Sequence, residues 1–179
     1  MYTKSIKNKS LLFCILISVP LYSVFPEGMI EKQGEIKFRD FPWGTSIEEF
    51  VRKEGQPDEI EEKEDKILTY QNIKVAGYDA MMTASFSANE LAGGAYAIKC
   101  ETKESFQECS KDIDEKLSIM YGMNPAREDH DILKLSLWRY TGGIITLMTI
   151  NNPDDDIGAV TIMYFSPALA REVLGSSGL

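Results

Sequence analysis

Few side chains in this chain could do catalytic or metal chemistry, and most of them lie in short acidic segments. The one His among the 179 residues, His130, stands in the sequence Glu-Asp-His-Asp at 128–131. A metal site needs three or four converging ligands, which neighbours in one short segment rarely supply alone. A Ser–His–Asp triad would need this same His held against a serine. We therefore predict that His130 lies in a solvated loop and that the protein is not a nucleophilic hydrolase.

A second oxygen-rich segment, at 151–158, has the hard ligands that calcium prefers. Its sequence, Asn-Asn-Pro-Asp-Asp-Asp-Ile-Gly, lacks the alternating ligands and the closing Glu of an EF-hand loop. We predict a polar hairpin turn at this position. With no better set of ligands in the sequence, we expect no bound metal and no cofactor.

Cys100 and Cys109 are the remaining reactive side chains, and they flank the junction of a predicted strand and a predicted helix. They are the only two cysteines left once the N-terminal segment described next is removed. An even number of cysteines in an oxidising compartment favours a disulfide. A redox-active or metal-binding pair is the alternative, but the C-x-x-C spacing is absent. We predict a structural bond between Cys100 and Cys109.

The N-terminus has the pattern of a secretory signal peptide. Lys4, Lys7 and Lys9 precede an uncharged run at 11–25 that is short for a membrane span, which needs roughly 20 apolar residues. We predict cleavage after Ser23 and a periplasmic or secreted protein without a membrane span, the alternative being an uncleaved anchor. The mature chain then keeps 16 basic against 28 acidic residues. This charge argues against nucleic acid as a partner.

The first half of the remaining chain predicts a helix followed by three strands. A Ser46–Glu49 capping box begins a short helix, and Gly55 ends it. The residues at 58–66 are so charged that we expect a solvated connection. Apolar and polar residues then alternate in the manner of strands, at 68–73, 78–87 and 91–99.

The second half repeats this pattern with a longer helix. A Ser105–Glu108 capping box begins the helix and Gly122 ends it, 67 residues after Gly55. The apolar face of this helix is predicted to hold Phe106, Cys109, Ile113, Leu117 and Met120. Strand patterns follow at 133–140, 143–150 and 158–165. A last short helix is predicted at 166–175, with Ser as its cap and Pro in its first turn.

Together these elements predict an α+β fold built from a tandem repeat of helix-strand-strand-strand. The two copies, at 38–100 and 101–165, should form one antiparallel sheet of six strands with helices on one face. The C-terminal helix at 166–175 completes a single domain at 38–179. An extended leader at 24–37 precedes this domain.

The opening of the first repeat carries a resemblance to a known family. Residues 41–49 read Phe-x-Trp-Gly-x-Ser-x-Glu-Glu, a Gly-x-Pro helix stop follows at 55–57, and the helix-plus-strands unit occurs twice. Over about 38–165 the chain resembles small exported bacterial proteins of the beta-lactamase-inhibitor-like fold and the related outer-membrane-assembly lipoproteins. The resemblance implies an antiparallel sheet and a role in binding other proteins. The chain lacks the lipidation Cys and a recognisable inhibitory loop, so the resemblance implies no particular target.

The strands of the second half are apolar on both faces, which is typical of sheets that are covered on both sides. If the leucines of the 133–140 strand face the helices, the side chains that alternate with them face away. We predict that six residues form a partner-binding surface there: Trp138, Tyr140, Ile145, Leu147, Met163 and Phe165. The alternative cover for this face is the protein itself, through the N-terminal leader and the C-terminal helix with its Leu169, Val173 and Leu174.

Two functional hypotheses follow. In the first, the protein is a non-enzymatic exported module for protein binding or envelope assembly, and the open face of its sheet meets a protein partner or a second copy of the chain. In the second, it is a small secreted ligand-binding protein or hydrolase whose pocket lies between the sheet and the helices. A deep cleft with convergent carboxylates would favour the second hypothesis.

Overall fold

The computed structural model describes residues 32–63, 65–122, 125–152 and 157–175. The signal peptide predicted at 1–23 and the first part of the leader lie outside these residues. The described elements are three helices and eight strands: α1 (Ile47–Glu54), β1 (Glu59–Glu62), β2 (Lys66–Val75), β3 (Tyr78–Ser87), β4 (Glu90–Cys100), α2 (Lys103–Tyr121), β5 (Ala126–Asp129), β6 (Leu133–Tyr140), β7 (Gly143–Asn152), β8 (Ile157–Phe165) and α3 (Pro167–Gly175).

The strands form one antiparallel sheet in the order β1-β2-β3-β4-β8-β7-β6-β5. The predicted α+β class and the single antiparallel sheet are confirmed. The predicted number of six strands is wrong, because β1 and β5 add one short strand to each edge. β1 lies in the segment expected to be a solvated connection. An edge strand needs backbone pairing on one side only and tolerates charged side chains, so a charged sequence can still pair.

The ends of the helices follow from local side chains. Ser46 caps α1 by accepting a hydrogen bond at Oγ from the backbone N–H of Glu49 at 3.2 Å, as predicted. The second helix begins earlier than predicted, because Thr102 is its cap and exchanges hydrogen bonds with Ser105. The predicted Ser105–Glu108 box is therefore wrong. Gly122 ends α2 as expected, with a φ of 91° that favours glycine.

α1 and α2 pack on the same side of the sheet, which we call the inner face. The register connects its buried residues from strand to strand, since Met82 pairs with Tyr96, Tyr96 with Ile162, and Ile162 with Leu147. Four apolar residues of α2 are buried against this face, as predicted: Phe106, Cys109, Ile113 and Leu117. The fifth predicted residue, Met120, is exposed instead.

α3 lies on the other side of the sheet, the outer face. Ala170 of α3 packs with Leu137 and Ile144, and Leu169 lies over Gly93. Ser166 caps α3 by accepting a hydrogen bond at Oγ from the N–H of Leu169 at 3.2 Å. The C-terminal helix therefore covers part of the outer face. The side chains of Val173 and Leu174, which were expected to share this role, lie outside the described part of the structure.

The end of the predicted leader is a packed part of the domain, which we call the strap (32–41). The backbone N–H of Lys32 donates to the carbonyl of Arg139 at 3.1 Å, and the N–H of Thr141 donates to the carbonyl of Lys32 at 3.0 Å. Ile36 and Phe38 are buried in the main core. The strap thus ties the turn between β6 and β7 to the inner face. None of the helices among the described residues has the length and apolarity that a membrane crossing requires.

Candidate functional site

The six residues predicted to bind a partner lie on two faces of the sheet. Four of them point to the inner face and belong to, or pack against, the main core: Trp138, Tyr140, Ile145 and Leu147. The other two point to the outer face: Met163 and Phe165. Because Leu147 pairs with Ile162, the next residue of β8, Met163, must point the opposite way. The predicted common face is therefore wrong, while partner binding by these residues stays a prediction.

The end of α2 explains why the aromatic residues of β6 turn inward. The Trp138 Nε1–H donates to the carbonyl of Gly122 at 3.0 Å, and the Tyr140 hydroxyl donates to the carbonyl of Tyr121. Lys32 Nζ donates to the same Tyr121 carbonyl at 3.1 Å. The last carbonyls of a helix have no partner within it, so these three donors complete the end of α2. Alternation in a sequence identifies residues that share a face, but not the face that meets a helix.

A groove opens on the inner face where α2 leaves β5, β6 and β7 uncovered. Its volume is about 420 Å³. Phe106 of α2 and Leu147 of β7 provide apolar surface in its lining. Ile132, in the connection between β5 and β6, also lines it and is 55% exposed. Of the six predicted partner-binding residues, Leu147 is the one in this lining.

Charged and polar side chains make up the rest of the lining. Asp114 of α2 is central among them, because its Oδ2 lies 2.8 Å from Arg127 Nη2 and its Oδ1 accepts a hydrogen bond of 3.4 Å from the Ser136 hydroxyl. Lys111 and Lys134 also line the groove. These contacts link α2 to β5 and β6 and hold the two walls of the groove together.

The acidic segment around His130 lies in an exposed turn. His130 is exposed in the turn between β5 and β6, as predicted, and its Nε2 lies 3.3 Å from Glu128 Oε2. Among the described residues no three His, Cys, Asp or Glu side chains are grouped as a metal would require. At the other predicted turn, Asn152 of β7 pairs with Ile157 of β8, and residues 153–156 lie outside the described residues.

Cys100 and Cys109 are buried free thiols in the structure. The disulfide predicted between them, from their even number and from export, is therefore wrong. Burial is the main reason that the pKa of Cys109 is raised to about 12, and the neighbouring Cys100 adds to the effect. A thiol in such surroundings is a poor nucleophile because it stays protonated. Both cysteines therefore act as core residues between β4 and α2.

A second polar cluster joins Arg39 of the strap to α1 and β4. Arg39 Nε donates to Glu54 Oε1 at 2.8 Å, and its guanidinium lies near the hydroxyl of Tyr96. Burial raises the pKa of Tyr96 to about 12 although the charge of Arg39 acts to lower it. Burial likewise raises the pKa of Tyr164 well above its usual value. Tyr96 and Tyr164 lie in the core beside Phe38, whose ring lies 5.2 Å from that of Tyr96, whereas the side chain of Arg39 is 33% exposed at the edge of this cluster.

No protein-family model, curated protein or solved structure matches the chain. The resemblance to beta-lactamase-inhibitor-like proteins therefore stays a prediction. The second hypothesis placed a pocket between the sheet and the helices, but the sequence reasoning did not predict which residues line the groove. Its signal was the pair Lys134 and Ser136, two polar residues at the same alternate positions of β6 as the buried Trp138. Such a break in an apolar face indicates where the cover of a sheet ends.

Proposed function

We propose that this protein is an exported, non-enzymatic binding module that receives a protein partner in the groove between α2 and strands β5 to β7. The observation that carries the proposal is the groove itself, an uncovered part of the sheet face of about 420 Å³. Protein interfaces combine a buried apolar centre with a surrounding polar rim. Phe106 and Leu147 supply the apolar surface, and Asp114 and Arg127 are among the polar groups.

The rigidity of the groove supports the same proposal. Its walls are a helix of 19 residues and the strands of a continuous sheet, and the contact of Arg127 with Asp114 joins them. A site whose walls are fixed before binding loses little entropy when the partner arrives. In this proposal the envelope-assembly role comes from the family resemblance, and the signal peptide at 1–23 delivers the protein to the compartment where it acts.

The second candidate is a small-molecule carrier or hydrolase that uses the same groove. The volume of the groove favours it, because 420 Å³ would hold a small ligand. Asp114 and Asp131 are the carboxylates in the lining. Asp114 is engaged by Arg127 and Ser136, which suits a structural role better than proton transfer. We therefore favour the binding of a protein.

A site-specific photocrosslink tests the proposal. Gln107 lines the groove from α2, whereas Ile119 lies on the same helix outside the groove and is 81% exposed. Each position is replaced in turn by p-benzoylphenylalanine, and the protein is irradiated in native envelope extract. We expect a discrete protein adduct from position 107 and not from 119. The same adducts from both positions, or none from 107, would contradict a protein partner in the groove.

We also propose that the two halves are copies of one unit. The order of elements supports this, since a helix followed by four strands occurs twice before α3. The sheet order is symmetric about the contact between β4 and β8. The helices α1 and α2, which occupy equivalent places in the two halves, both end at a glycine, Gly55 and Gly122. In such a duplicated arrangement the groove lies beside α2 in the second half. The equivalent position beside α1 in the first half has different residues.

A further inference from the structure

The outer face of the sheet is buried over a wider area than α3 covers. One row of paired side chains crosses this face from β3 to β6, and each member is at most 7% exposed: Thr83, Ala95, Met163, Thr146 and Leu137. Among the described residues α3 is the element on this side, and it packs mainly on β4, β7 and β8. One face of an antiparallel sheet stays exposed unless a second layer lies on it. A further segment therefore covers the outer face.

The part of this face beyond α3 is apolar. Four buried residues form a cluster of their own, which we call the outer cluster: Ala95, Leu135, Met148 and Met163. None of the described side chains of α3 belongs to it, because Ala170 packs instead with Leu137 and Ile144. The missing cover of the outer cluster must consequently supply apolar side chains.

The described chain begins where the preceding residues can reach this face. Lys32 pairs with the edge of β6 at Tyr140, and the two chains run parallel there. The residues before Lys32 therefore run back toward Leu137, from which β5 occupies the same edge. On the inner side the end of α2 takes the space, since its last carbonyls accept hydrogen bonds from Trp138 and Tyr140. The chain before Lys32 is thus directed to the outer side of the sheet.

The leader residues at 24–31 have the length and composition that this cover requires. Their sequence is Val-Phe-Pro-Glu-Gly-Met-Ile-Glu, in which four of eight side chains are large and apolar. Eight extended residues span about 26 Å, whereas the four strand spacings from β6 to β3 amount to about 19 Å. The strap, which continues the leader, already places Ile36 and Phe38 in the inner core. The C-terminal residues at 176–179 offer one large apolar side chain, Leu179.

We propose that the leader at 24–31 crosses the outer face from β6 to β3 and is its cover in the exported protein. Met29 and Ile30 lie over the β6 and β7 end of the face, and Val24 and Phe25 lie over the β4 and β3 end. Met163, one of the predicted partner-binding residues on this face, then contacts the protein's own chain. The groove remains the open part of the sheet.

Methionine oxidation tests this cover, because the outer cluster contains Met148 and Met163. Hydrogen peroxide oxidises the thioethers that solvent reaches, and mass spectrometry gives the rate at each position. In the exported wild-type protein we expect fast oxidation of Met120, which is 68% exposed, and slow oxidation of Met148 and Met163. Met82 is fully buried in the inner core, so its protection reports whether the fold is kept.

Substitutions in the leader should remove the protection of the outer cluster. In the variant Phe25→Ser with Ile30→Ser, Met148 and Met163 should oxidise about tenfold faster, because their exposure rises toward that of Met120. Met82 should stay protected.

A matched control removes two apolar side chains elsewhere. Ile60 and Ile132 are 54% and 55% exposed. Ile60 pairs with the inner-face residue Leu68, and Ile132 lines the groove. In Ile60→Ser with Ile132→Ser we expect all four methionines to oxidise as in the wild type.

A photocrosslink locates the leader directly. Phe25 is replaced by p-benzoylphenylalanine, which keeps an aromatic ring at this position, and the adducts are mapped by mass spectrometry. We expect an adduct within one chain that joins position 25 to a peptide of β3, β4 or β8. If Met82 is oxidised in the leader variant, that variant has unfolded, and this crosslink decides alone.

Several outcomes would overturn the inference. Continued protection of Met148 and Met163 in the folded leader variant would show that the leader is not the cover, and so would an equal loss of protection in the control. Faster oxidation in Leu179→Ser would assign the cover to the C-terminus. An adduct between two chains would assign it to a second copy. These results leave the photocrosslink at Gln107 unaffected, so the proposed function stands or fails separately.

Discussion

The contact between the strap and the sheet can be tested by adding one methyl group. A Cβ atom at Gly94 would meet three carbon atoms of the Phe38 ring, well inside van der Waals contact. Phe38 is 0% exposed, and the rings of Tyr96 and Tyr164 lie 5.2 and 5.6 Å from its own. The ring therefore has little space to move aside. We expect Gly94→Ala to lower the free energy of unfolding by about 1–3 kcal/mol, the usual cost of overpacking a core.

A double-mutant cycle shows whether this cost comes from the ring. Phe38→Ala alone should cost about 3–5 kcal/mol, because it leaves a cavity in the core. In that background the methyl group of Gly94→Ala enters the vacated space, so its further cost should fall close to zero. The coupling energy between Phe38 and Gly94 then equals about 1–3 kcal/mol.

Urea unfolding followed by tryptophan fluorescence measures each free energy, provided that the slopes stay equal. Phe106→Ala is the control, since this ring lies against Gly158 and not against Gly94. The cost of Gly94→Ala should be the same with and without Phe106→Ala. A cost that is also unchanged by Phe38→Ala would refute the packing of the strap on β4.

Three further predictions concern buried polar groups. In protein purified under reducing conditions, Cys100 and Cys109 should react with a thiol reagent at pH 8 only after denaturation, because burial raises the pKa of Cys109 to about 12; prompt reaction of the native protein would contradict this. Trp138→Phe should cost about 0.5–1.5 kcal/mol in urea unfolding, since the carbonyl of Gly122 loses its donor; an unchanged free energy would count against this contact. The pKa of Tyr96 is raised from 10 to about 12 in the folded protein, so its contribution to stability is complete below pH 10 and is lost as the pH rises through 12. Unfolding free energies measured from pH 9 to 12 should therefore decline, and less steeply in Tyr96→Phe; identical slopes would exclude Tyr96 as the cause.

Local signals in the sequence predicted most of the fold. Ser46 and Gly55 mark the two ends of α1, and alternation gave the bounds of β3 and β6 as the structure has them. These signals depend on short-range effects, namely side-chain caps, left-handed glycine and the period of a strand. β1 was not predicted because an edge strand is stabilised by backbone pairing, which requires no particular pattern of side chains.

Such local signals could not predict the candidate site. The side of β6 that meets α2 depends on hydrogen bonds from Trp138 and Tyr140. Their acceptors are backbone carbonyls at the end of α2, at 121 and 122. The groove depends on where α2 crosses the sheet, and it combines residues as distant in sequence as Lys111 and Asn151. The local period of a strand encodes neither the place where α2 crosses the sheet nor the pairing register of the strands. The sequence alone therefore indicated which faces are apolar but not which element covers each face.

The position of β8 has a consequence for how the chain is assembled. β8 lies between β4 and β7 in the sheet, although it is the last of the described strands along the chain. From Gly93 to Cys100 one edge of β4 has no strand partner until residues 158–165 have emerged. During that interval a mostly apolar edge is open to other chains, which is the usual origin of misassembly and aggregation. Closure of the sheet is thus a late and long-range event, and a chain that stops short of β8 keeps two unpaired edges in its centre.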